Sequence, residues 1–74
     1  MADMAGDKIK KTISEKLNSL REDSGLTQLE LAEKAGLNSN AYAKVERGDQ
    51  MPTIETLLKI AMALDVRSSD ILPR

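Results

Sequence analysis

QLELAEKAGLNSNAYAKVERG, residues 28–48, is the stretch whose reading decides the fold. Thr27, just before it, is a capping residue type, and Glu30 completes a capping box, so a helix starts at Gln28 and runs to about Ala35. Leu31, Ala32 and Ala35 fall on its inner side. Gly36 tolerates positive φ, which lets the chain turn sharply, with Leu37 as an apolar residue inside the turn. Asn38 caps the next helix, which continues to about Glu46 and is anchored by Tyr42 and Val45. Ser39, Asn40, Ala41 and Lys44 then point outward. Two short helices that cross steeply need a small side chain at their closest approach, and Ala32 supplies it.

Working outward, Ile9, Ile13, Leu17 and Leu20 recur at helical spacing and predict a first helix from Lys8, stopped by Gly25. Met1 to Asp7 is small and polar and reads as a loose tail, leaving 8–74 as the domain. Gly48-Asp49-Gln50-Met51-Pro52 is a loop by its breakers. Thr53 caps a fourth helix to about Leu64, with Glu55 near its positive end. Ser68 or Ser69 starts a short fifth helix that ends at Leu72. The expected fold class is all-α, five short helices in one compact domain.

A chain of 74 residues makes one small domain, with no separate module expected for sensing a ligand. Cysteine and histidine are both absent, which removes disulfides, thiolate metal sites and the usual general base. No carboxylates pair in a way that reads as a site, so no enzyme, metal or cofactor is expected. The apolar runs are too short to span a bilayer and no signal-peptide core is present, so a cytoplasmic protein without membrane contact is expected. The net charge of −1 gives no bulk attraction to a polyanion. Charge is evenly spread as well, with five basic and five acidic side chains in residues 1–24 and three of each in 25–48. Any such attraction must come from how charges are placed on one face. Tyr42 is the sole aromatic residue, which argues against a single-strand binder that stacks bases on several rings.

Gly25-Leu26-Thr27-Gln28, Glu30-Leu31-Ala32, Ala35-Gly36-Leu37, Val45-Glu46-Arg47-Gly48, Pro52-Thr53 and Leu57-x-x-Ile60-Ala61-x-Ala63-Leu64 occur in order and with characteristic gaps. Each alone is a weak signal. Together they resemble the lambda-repressor-like helix-turn-helix family, which includes phage repressors and Cro proteins, restriction-modification controllers and many antitoxins. The resemblance covers roughly Ile13 to Leu72. It implies sequence-specific binding of double-stranded DNA, with the second helix of the pair in the major groove, and a role in repressing or tuning transcription.

The resemblance also implies individual roles. Gln28 holds a DNA phosphate, assisted by the amides at its helix start. Ser39, Asn40 and Lys44 take the base-reading positions: Asn40 suits adenine, Lys44 reaches guanine acceptors and Ser39 is permissive. Asn38 is first a cap and secondarily a phosphate contact. Arg47 either touches the DNA backbone or is simply solvated. Arg21 pairs with Glu46 as a structural element that ties the recognition helix to the scaffold. Three positions depart from the family pattern. Tyr42 stands where Val or Ile is usual, its ring packed inward or its hydroxyl turned to DNA. Leu29 replaces a polar residue, and Arg67 sits where a Ser cap normally begins the fifth helix.

Beyond its inner face, the fourth helix carries a second apolar stripe of Ile54, Leu58 and Met62. Either the first and fifth helices cover it, or it joins Ile71 and Leu72 in a two-fold homodimer that doubles the base contacts. A protein partner is the other reading of the surplus apolar residues Leu29 and Met62, as in an antitoxin that binds DNA secondarily.

Overall fold

The computed structural model describes residues 4–73 and contains four α-helices there: α1 (Met4–Asp23), α2 (Gln28–Ala35), α3 (Ser39–Arg47) and α4 (Ile54–Leu64). A single 3-10 turn, Ser68–Asp70, follows, and no strand occurs among the described residues. α1 packs on α3, and α2 packs on both α3 and α4. The core between them is Ile13 and Leu17 of α1, Leu31 and Ala32 of α2, Tyr42 and Val45 of α3, and Leu57, Ile60, Ala61, Ala63 and Leu64 of α4, closed by Ile71.

The helix boundaries follow from local capping chemistry. Thr27 Oγ1 accepts from the Glu30 amide at 3.1 Å, and Glu30 Oε1 accepts from the Thr27 amide at 2.8 Å, closing the capping box that opens α2. α2 ends at Gly36, whose φ of 71° is left-handed, and the Leu37 amide bonds back to the Ala32 carbonyl at 2.8 Å. The turn between α2 and α3 is therefore short and rigid. At the end of α4 an aspartate, Asp65, takes the left-handed position with φ 58°, a stop that its residue type did not announce.

Three expectations need correction. α1 begins at Met4 rather than Lys8: positions 4–7 of the expected tail are helical, and Met1 to Asp3 lie outside the described residues. Asp7 favours this longer start, lying near the positive end of the helix and 3.8 Å from Lys10. The fifth helix is only a 3-10 turn. Arg67 cannot cap it as Ser would; Asp70 instead accepts the Arg67 amide at 3.0 Å, and Pro73 prevents continuation. Ile71, which one of the two readings placed with Leu72 on a partner-facing surface, is fully buried in the core, while Leu72 is exposed. The Ile54, Leu58 and Met62 stripe is left uncovered, at 78%, 47% and 80% exposure.

A Cβ at Gly36 would meet no atom within 4 Å, so Gly36→Ala tests backbone conformation alone. It is expected to cost about 1 kcal/mol in urea unfolding, with Gly36→Asn costing less because Asn tolerates the left-handed region better.

Candidate nucleic-acid interface

The orientation of α3 is set at both ends and along one side. At its start, Asn38 Oδ1 accepts from the amides of Asn40 and Ala41 at 2.9 and 3.1 Å. At its end, the left-handed Gly48 passes its amide to the Val45 carbonyl and the Asp49 amide to the Lys44 carbonyl, at 3.0 and 2.9 Å. Tyr42, Val45 and Glu46 are buried. At about 100° per residue, the opposite side of the helix carries Asn40, Lys44 and Arg47, all exposed. Their spacing of four and three makes them one stripe.

Of the residues singled out from sequence, Asn40, Lys44 and Arg47 thus share a face. Ser39 sits beside that stripe and is half-buried. Gln28 is exposed as the first residue of α2, and Asn38 is exposed with its carbonyl oxygen engaged in the cap. Arg47 donates from Nε to Asp49 Oδ2 at 3.0 Å, an exposed pairing that the sequence reading did not single out. An amide, an ammonium and a guanidinium in a row offer donors for base edges and phosphate oxygens.

Behind this face lies a buried polar cluster. Arg21 Nε donates to both carboxylate oxygens of Glu46 at 3.0 Å, and Nη2 donates to Oε1 at 2.9 Å. Nη1 reaches the Leu26 carbonyl at 2.7 Å, and Nη2 also reaches Asn18 Oδ1 at 3.1 Å. Glu46 is 6% exposed, so its charge depends on this partner. The hydrogen bonds to Glu46 hold the Arg21 proton more firmly than usual, outweighing the opposite effect of burial. Ser14 adds a second tie from α1, its hydroxyl donating to the Glu46 carbonyl. Neither Asn18 nor Ser14 was singled out from sequence: the spacing of Asn18, one helical turn from Arg21, could have marked it, whereas Ser14, 32 positions from Glu46, gave no such signal.

Tyr42 belongs to the core and not to the exposed stripe, at 1% exposure. Burial pushes its phenol well above the ordinary range, the Glu46 carboxylate adds to that, and the ring stays neutral. Its hydroxyl has no hydrogen-bond partner. The two polar residues of α3 that face inward should therefore respond oppositely to removal of their polar character. Glu46→Gln strands the Arg21 charge and is expected to lower unfolding free energy by about 2–3 kcal/mol. Tyr42→Phe deletes an unsatisfied hydroxyl and is expected to change it by less than about 1 kcal/mol, in the stabilising direction. Chemical denaturation of both variants checks the pair.

The helix-turn-helix family model matches residues 17–71. Among characterised relatives, the chain is 36% identical over 62 residues to the cryptic phage CTXphi transcriptional repressor RstR of Vibrio cholerae, covering 84% of this chain and 55% of that one. It is 34% identical over 73 residues to the control protein C.SmaI of Serratia marcescens, covering 99% and 87%. The chain spans about half the length of the RstR repressor and of several other curated relatives it matches. Its fold superposes on the crystal structure of the restriction-modification controller protein C.AhdI from Aeromonas hydrophila with a TM-score of 0.80 and 33% identity, over 82% of this chain and 92% of that one. On these matches, and on the capped helix pair they span, the chain belongs to the lambda-repressor-like helix-turn-helix family.

Proposed function

We propose that this chain is the DNA-reading part of a transcription regulator that binds a palindromic site in double-stranded DNA as a homodimer and represses transcription there, in the cytoplasm. The observation that carries the reading is the exposed stripe Asn40, Lys44 and Arg47, set opposite the buried Tyr42, Val45 and Glu46. A repressor and two controller proteins among the similar proteins support the regulatory role. Its work is binding, without catalysis or a cofactor. Asn40 and Lys44 read bases, Ser39 borders them, and Gln28, Asn38 and Arg47 hold phosphates.

Homodimerisation is supported by the uncovered stripe on α4. Ile54, Leu58 and Met62 lie four residues apart on one side of the helix, symmetric about Leu58, and Leu72 is exposed as well. A two-fold axis at Leu58 would set Ile54 of one copy against Met62 of the other. Such an arrangement presents two recognition helices to half-sites about 34 Å apart.

Selection of bound sequences from random duplexes should return an inverted repeat, and binding should weaken steeply with salt. Lys44→Ala should alter which base is preferred, whereas Gln28→Ala should weaken all duplexes alike. A uniform loss from Lys44→Ala would overturn its base-reading role. In sedimentation, the unaltered protein should be dimeric at micromolar concentration and Leu58→Glu monomeric yet folded; a monomer in both would remove the dimer.

A further inference from the structure

Arg47 extends the exposed stripe of α3, yet its guanidinium is paired: Nε donates to Asp49 Oδ2 at 3.0 Å, with the two side chains 59% and 62% exposed. The position of Asp49 is fixed by main-chain bonds, because its amide closes the end of α3 on the Lys44 carbonyl at 2.9 Å. Its carboxylate therefore stands at the negative end of the recognition helix, where the helix dipole disfavours an anion. Helix stability does not account for an acid there. The pairing with Arg47 offsets part of that cost and at the same time engages Nε and neutralises the charge of the last cation of the stripe.

Resting on the DNA-binding reading above, we infer that Asp49 is an affinity-limiting residue: it competes with DNA phosphate for Arg47 and sets a ceiling on sequence-independent binding. An exposed ion pair of this kind is weak, so a phosphate can displace the carboxylate. The displaced charge then remains next to the DNA backbone and repels it. Both effects act on every duplex equally, since phosphate contacts carry no sequence information. The result is a regulator whose general grip on DNA is reduced while base reading by Asn40 and Lys44 is untouched.

The test is a set of anisotropy titrations across a salt series, on a selected duplex and on a random one, with the unaltered protein, Asp49→Asn, Arg47→Ala and the double variant. Asp49→Asn should bind both duplexes about two- to fivefold tighter. The slope of log affinity against log salt should steepen by about 0.9, one phosphate contact. Most of this gain should vanish in the Arg47→Ala background. Equal or weaker binding by Asp49→Asn overturns the inference, as does a full gain that persists without Arg47. If the unaltered protein binds no duplex, the DNA-binding reading itself fails, which is a separate and recognisable result.

Discussion

Glu46 has one charge, almost no water and a single compensating cation, and the placement of the recognition helix depends on that fact. A carboxylate so buried is tolerable only when its partner's geometry is excellent. Arg21 supplies it by binding both oxygens of Glu46 through Nε, reaching one of them again through Nη2, and bonding the Leu26 carbonyl and Asn18 with the rest of the guanidinium. One side chain thereby ties α1, the α1–α2 connection and α3 together. A lysine, with a compact ammonium, could not span those acceptors. Because the pair fixes which side of α3 is inside, it also fixes which side is outside, and the Asn40, Lys44 and Arg47 stripe follows from it.

The distribution of charge explains why bulk composition is a poor guide here. A net charge of −1 says little about a surface on which cations and anions are sorted by position. Lys10 is set against Asp7 and Lys59 against Glu55, both within their own helices. Lys44 stands on the exposed face of α3, with Asn40 one turn before it. If this small face reads bases as proposed, one copy makes few contacts, and that shortage would make the proposed paired arrangement physically useful.

What was legible in the sequence is what local chemistry writes. Thr27 with Glu30, Gly36, Asn38 and Thr53 cap or stop helices through bonds to near neighbours, so the stretch from Thr27 to Thr53 could be read residue by residue. The Arg21–Glu46 pair came from family resemblance; no spacing rule joins residues 25 positions apart. The C-terminus was misread for a related reason. Ile71 and Leu72 are adjacent and offer no periodicity, and only the path of the chain across α4 decides that Ile71 goes inside while Leu72 stays out. The start of α1 was missed because small, polar residues suggest a tail, although nothing in them forbids a helix. Arg47 with Asp49 was missed because residues two apart in sequence meet only where a helix has just ended.

Tyr42 has a consequence of another kind. It is the only aromatic side chain in the protein, and it is packed on the inner face of α3 against the buried charges. All near-ultraviolet absorption and intrinsic fluorescence therefore originate from one ring at the seam between the recognition helix and the scaffold. The protein carries a built-in optical probe whose signal reports the seating of that helix, free of contributions from the termini, the 3-10 turn or the exposed face of α4.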